Sequence, residues 1–162
     1  GKKAYGYQGL GDVFVLLFFG IVAVLGSFFL YTHFLAAHTI LPALAIGFLS
    51  VGVLNLNNLR DVQADRKYGK NTLVVKMGFN NGKKYHGFLV LSAFICMLLY
   101  GILENLSWAG LVYLVFFVPI FMHLRRVLLK NDPITIDPEL KILALGTFFL
   151  AVSFYISVNY FF

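Results

Sequence analysis

The chain has 162 residues, 60% of them hydrophobic, 17% aromatic and only 12% charged, with a mean hydropathy of +0.83. Those proportions exclude an ordinary soluble domain, and they describe an integral membrane protein. The formal charge of +6 raises nucleic acid as a partner, but the basic residues fall in three blocks, Lys2 to Lys3, Arg60 to Lys84 and Arg125 to Lys141. These are alternate loops of a serpentine membrane chain, so the excess reflects orientation, and the positive-inside rule makes that side cytoplasmic.

The start, Gly1-Lys2-Lys3, has no Met and no signal-peptide architecture, and reads as a loop cut open. The expectation is a single transmembrane domain over 1–162 that is the C-terminal part of a longer chain, with preceding helices outside it. Residues 4–12 are glycine-rich and polar enough to be a connection, and Asp12 stands where an N-cap would stand. The first span is expected over 13–31, uncharged and long enough to cross about 30 Å of hydrocarbon. A second follows over 40–58, with Pro42 near its start and Gly47 and Gly52 allowing close helix contact.

The second span delivers the most informative stretch. If its helix continues, Asn57, Asp61 and Asp65 fall at i, i+4 and i+8 on one face, with Asn58 beside them. Two carboxylates about 6 Å apart at their Cβ atoms repel each other unless a cation or solvent intervenes, a spacing that suits Mg²⁺. Magnesium usually takes only one or two protein carboxylates and completes its shell with water and phosphate oxygens, so the expected partner is a phosphate compound. Arg60, Arg66, Lys67 and Lys70 surround the pair and are candidates for holding further phosphate oxygens. Arg66 and Lys67 are equally well explained as the basic flank of a membrane helix. Asp61 and Asp65 are not, because acidic residues contribute little to topology.

Residues 62–85 form the longest polar segment and are expected to cap the site as an ordered loop. Gly69-Lys70 is not a phosphate-binding P-loop: Ala64 replaces the required glycine and no strand precedes it. Further spans are expected over 86–104, 108–124 and 141–160. Glu104 lies in the turn between the third and fourth and is expected to be solvated, and Pro119 falls inside the fourth. Asp137-Pro138-Glu139 reads as N-cap, first-position proline and acidic first turn of the last helix. Cys96 is alone and the four histidines show no ligand spacing, so a zinc or haem site is not expected. The fold class is therefore all-α, a polytopic bundle of about five transmembrane helices.

The run Asn57-Asn58-Leu59-Arg60-Asp61, continued by Asp65-Arg66, Gly69-Lys70 and Thr72-Leu73, resembles the second aspartate-rich motif of the UbiA superfamily of intramembrane aromatic prenyltransferases. Tyr5-Gly6-Tyr7-Gln8-Gly9-Leu10-Gly11-Asp12 with Phe18-Phe19-Gly20 is similar to the menaquinone-pathway branch, which prenylates dihydroxynaphthoate. The resemblance implies a nine-helix fold of which this chain carries the last five. It implies Mg²⁺ held by Asp61 and Asp65, and a polyprenyl diphosphate contacted by Asn57, Asn58, Arg60, Arg66 and Lys70. The acceptor it implies is 1,4-dihydroxy-2-naphthoate, with the active site on the cytoplasmic side and the complementary metal ligands on the missing N-terminal helices, so that the fragment alone is inactive. Two other classes stay in view. A transporter or channel segment would line an ion path with the Asn and Asp residues, and an accessory membrane subunit would leave the carboxylates simply hydrated.

Overall fold

In the computed structural model the described residues are 8–160. Lys2, Lys3 and Tyr5-Gly6-Tyr7 of the glycine-rich stretch, and the closing Phe161-Phe162, lie outside them. Five helices among the described residues are long and apolar enough to cross a bilayer, and no strand is present among those residues. The all-α polytopic expectation holds.

Helix α1 covers Gly11–Thr32, its middle, Leu16–Leu25, wound in wider π turns. α2 covers Ile40–Arg60 after a 3-10 turn at Ala37–Thr39. Two short helices follow, α3 at Val62–Lys67 and α4 at Leu73–Met77, before the long α5 at Phe79–Leu103. α6 covers Phe117–Leu129, entered through a 3-10 stretch at Val112–Phe116, and α7 covers Asp137–Tyr160, entered through Pro133–Ile136.

α2 is the central helix and packs against α1, α5 and α7. Of its apolar stretch 56% is buried, against 6% for α1, which lies along one side with Val13, Phe18, Phe19 and Val22 exposed. In lipid there is little hydrophobic drive between helices, so close approach depends on small residues. A Cβ added at Gly20 of α1 would lie 2.7 Å from the Ala43 carbonyl oxygen and 2.8 Å from the Gly47 Cα of α2. The two backbones touch there, and Gly47 has the contact role expected of it.

Several boundaries differ from the sequence reading. The stretch 62–85 is largely helical: α3 and α4 occupy part of it, and α5 starts at Phe79. The polar start of α5 is tolerated because Lys83 Nζ donates to the carbonyls of Leu128 and Lys130, at 3.2 and 2.6 Å, and satisfies the end of α6. α6 runs past Arg125-Arg126 to Leu129, its basic last turns matching the negative end of the helix dipole. Asp12 is not an N-cap. It sits buried in the first turn of α1 and accepts a hydrogen bond from Tyr85 of α5. Asp137 is the first helical residue of α7, and Asp132 does the capping of the preceding turn, accepting from the Ile134 amide at 3.1 Å. Glu104 pairs with His38 Nδ1 at 3.1 Å across the far end of the bundle.

Candidate diphosphate and metal site

The helical ladder survives the end of α2. Asp61 has φ −92° and ψ 7°, yet its amide donates to the Asn57 carbonyl at 3.0 Å and its own carbonyl accepts from the Asp65 amide at 2.8 Å. Asn57, Asp61 and Asp65 are therefore stacked one turn apart.

Arg60 is the hub of the first turn. Its Nε donates to Asp61 Oδ1 at 2.8 Å and one terminal nitrogen to Asp61 Oδ2 at 3.0 Å, a fork-on-fork pairing. The same nitrogen donates to Asn57 Oδ1 at 2.6 Å, and the other reaches Asp137 Oδ1 on α7 at 2.8 Å. These hydrogen bonds from Arg60 hold the Asp61 carboxyl below the usual carboxylate range, with the charges of Arg60 and Lys70 adding to the effect.

Lys70 serves the second turn. α3 ends with Gly69 at φ +70°, a conformation glycine adopts without a Cβ clash, and the Lys70 amide turns back to the Asp65 carbonyl at 2.9 Å. The reversal lays the Lys70 ammonium over Asp65, 3.0 and 3.2 Å from its two oxygens. The side chain of Asp65 is 11% exposed and that of Asp61 34%.

The structure thus joins Asn57, Arg60 and Asp61 in one network and Asp65 with Lys70 in the next turn. Asn58 faces another way, buried beside a cavity of about 60 Å³ that it shares with Asp12, Lys70 and Thr72, and its Oδ1 has no hydrogen-bond partner. Arg66 borders a separate space of about 270 Å³ with Gln63, Phe79 and Asn131. Asp137, expected from sequence as the N-cap of the last helix, is also a partner of Arg60. Its contact with Arg60, 77 positions away, has no local signal in the sequence.

A groove of about 490 Å³ runs between α1, α2 and α7 and reaches Asn57 at one end, while the hydroxyls of Ser50 and Thr147, also in its lining, are turned to their own helix carbonyls. Val15, Phe19, Val53, Leu54, Leu140 and Ala144 make it apolar. An elongated hydrocarbon fits the chemistry of such walls, and a charged head group fits its Asn57 end.

As a donor set, two carboxylates one helical turn apart, with amides nearby, suit a hard divalent cation that keeps water and phosphate oxygens in its shell. Among the described residues there is no group of three or more His, Cys, Asp or Glu placed to hold a metal by itself. Both carboxylates are engaged by cations of the chain, so metal binding here entails exchange with Arg60 and Lys70.

A polytopic helical bundle with two carboxylates beyond the end of a membrane helix, the first of them one turn past the Asn57 that lines an apolar groove, defines an integral membrane protein with a polar cluster at one end of its bundle. The UbiA prenyltransferase family matches over residues 3–135, and the chain belongs to that family. It is 42% identical over 141 residues to the 1,4-dihydroxy-2-naphthoate octaprenyltransferase of Escherichia coli (strain K12), covering 87% of this chain and 46% of that protein. The protein of the same name from Haemophilus influenzae is 38% identical over 154 residues, covering 95% and 50% respectively. A UbiA prenyltransferase domain-containing protein 1 from Dictyostelium discoideum is 36% identical over 89 residues, covering 55% of this chain and 27% of that protein. The chain therefore spans about half the length of the first two relatives. No solved structure matches it significantly.

Proposed function

We propose that this chain supplies one half of a Mg²⁺-dependent prenyltransferase that moves a polyprenyl group from its diphosphate to 1,4-dihydroxy-2-naphthoate in menaquinone biosynthesis. The observation that carries the proposal is the Asn57 end of the apolar groove, where Arg60 bridges Asn57 and Asp61. The names of the two bacterial relatives support the acceptor. We assign the complementary metal ligands to helices outside this chain, and the active site to the basic, cytoplasmic face.

On this reading Asp61 and Asp65 hold Mg²⁺, which when bound neutralises charge building on the departing diphosphate. Arg60 and Lys70 exchange carboxylate oxygens for phosphate oxygens as the substrate enters, Arg60 through its planar fork and Lys70 as a mobile point charge. Asn57 keeps Arg60 at the groove mouth through its side-chain oxygen. The walls formed by Val15, Phe19 and Leu54 enclose the prenyl tail and exclude water that would trap the allylic cation. Arg66 and Asn58 are peripheral: Arg66 adds positive field, and Asn58 borders the space under Lys70. A transporter is disfavoured because the two carboxylates lie past the end of α2, at a helix terminus, where they line no path through the bundle.

The test uses the complete protein in membranes with Mg²⁺, a polyprenyl diphosphate and 1,4-dihydroxy-2-naphthoate. Asp61→Asn and Asp65→Asn are each expected to lower turnover by about a hundredfold or more while membrane insertion persists. Near-normal turnover in both variants, or Mg²⁺-independent binding of the diphosphate, overturns the proposal.

A further inference from the structure

Glu139 is 3% exposed, in a helix that continues into apolar sequence. A buried carboxylate is costly unless donors meet it. Here three do, all from the face of α6 and the residue after it. His123 Nδ1 lies 2.7 Å from Oε2, Arg126 Nε lies 3.0 Å from Oε1, and Lys130 Nζ lies 3.0 Å from Oε1. A second Arg126 nitrogen reaches Oε2 at 3.2 Å. His123, Arg126 and Lys130 are spaced three and four residues apart, which puts them on one stripe.

The cluster extends inward to α5. A carboxylate accepts only, so His123 carries a proton on Nδ1, and its Nε2 is hydrogen-bonded to His86 Nε2 at 3.0 Å. His86 and His123 are both fully buried. Three long helices are thus tied together at the first turn of α7, where an isolated helix would fray because its leading amides lack helical partners.

Two residues before Glu139, Asp137 accepts from Arg60 at 2.8 Å. Its side chain is 64% exposed, and an exposed ion pair of this kind holds little on its own. It holds its geometry only if the backbone carrying Asp137 is fixed. We propose that Glu139 is a positioning residue for Arg60: the cluster of His123, Arg126 and Lys130 around it fixes the first turn of α7, so that Asp137 anchors the guanidinium between α2 and α7. Arg60 then keeps its orientation when Asp61 turns from it to a metal ion, with Asp137 and Asn57 as its remaining partners. This inference rests on the assignment of Arg60 to the diphosphate.

Two measurements on the full-length protein test it. The first reads geometry without substrate: Arg60→Cys and Asp137→Cys are joined by a short bis-thiosulfonate cross-linker, with Cys96→Ser and no other cysteine. Because both partners of the ion pair are gone, the yield reports on the Glu139 cluster alone. Glu139→Gln is expected to lower the yield by about fivefold in protein that still elutes as one species, in line with loss of charge-assisted bonds. Arg126→Gln, on a half-exposed side chain, is the milder second variant and is expected to lower it in the same direction. An unchanged yield in either folded variant overturns the proposal.

The second measures binding of farnesyl diphosphate in Mg²⁺. Asp137→Asn and Glu139→Gln are each expected to weaken it by about tenfold, and the double variant no more than Asp137→Asn alone, because residues acting through one another are not additive. Multiplying effects, about a hundredfold in the double variant, would show that Glu139 acts by another route and sink the proposal. If the unsubstituted protein binds no diphosphate, the prenyltransferase reading fails, and the cross-link still decides the role of Glu139.

Discussion

Lys70 donates to both oxygens of Asp65, at 3.0 and 3.2 Å, from a position that only the reversal at Gly69 makes reachable. The ammonium is a built-in counter-ion for a carboxylate that is nearly buried. Lys70→Met strands that carboxylate, so the folded protein without metal is expected to lose about 1–3 kcal/mol. The same change removes a cation that competes with and repels Mg²⁺. Mg²⁺ alone is therefore expected to raise the unfolding temperature of Lys70→Met more than that of the unsubstituted protein, while binding of a prenyl diphosphate weakens. A thermal-shift titration with and without diphosphate checks both halves; an equal Mg²⁺ response in the two proteins contradicts the counter-ion role.

Arg60 makes a different contribution, visible in acid. The Asp61 carboxyl titrates lower in the folded protein than its ordinary value, because Arg60 hydrogen-bonds its charged form. A depressed folded value means stability that is fully present above the unfolded value of about 4 and is lost as pH falls through the folded one. Arg60→Gln is expected to remove this contribution, so that the two proteins differ more at pH 6 than at pH 2.5. Denaturation of metal-free protein across that range is the measurement, and parallel curves would contradict the assignment.

Helix count and the stacking of Asn57, Asp61 and Asp65 are legible in sequence because both follow from local rules, apolar run length and a 3.6-residue period. What each side chain meets is set by residues far along the chain. Asp137 is 77 positions from Arg60, and the capping pattern Asp137-Pro138-Glu139 carries no sign of which helix it will face. His86 and His123 are spaced unlike a ligand pair, 37 residues apart, and become neighbours only through the packing of α5 on α6. The polar segment 62–85 reads as a loop in sequence because α3 and α4 are short and the contacts that let α5 start at Phe79, such as Lys83 on the end of α6, are tertiary.

At the end of the bundle away from the acid pair, Tyr113 is fully buried and its hydroxyl donates to the Met97 carbonyl of α5 at 2.9 Å. Tyr113→Phe removes that second donor from a carbonyl that keeps its helical amide partner, and is expected to cost about 0.5–1.5 kcal/mol. Diphosphate binding in the folded variant is expected to be unchanged, since the contact is remote from Arg60 and Lys70. Unfolding in a mild detergent reads the first effect and binding the second.

The contact of α1 with α2 gives the sharpest steric test. At Gly20 an added Cβ would meet the Ala43 carbonyl at 2.7 Å and the Gly47 Cα at 2.8 Å, both backbone atoms that cannot swing aside. At Gly26, six residues further along α1, an added Cβ meets nothing within 4 Å. Gly20→Ala is therefore expected to push the helices apart at a cost of about 1–3 kcal/mol. Gly26→Ala should be neutral or slightly stabilising, because alanine has less backbone freedom to lose in a helix. Because Phe19 and Val15 of α1 form one wall of the 490 Å³ groove, the shift at Gly20 also widens the space offered to a prenyl tail. The Gly20 variant is thus expected to weaken binding of a long prenyl diphosphate while leaving that of inorganic diphosphate unaltered. Comparing the two ligands on both variants separates a change in the groove from a change at the acid pair, and equal behaviour of Gly20→Ala and Gly26→Ala would mean that α1 does not lie against α2 as described.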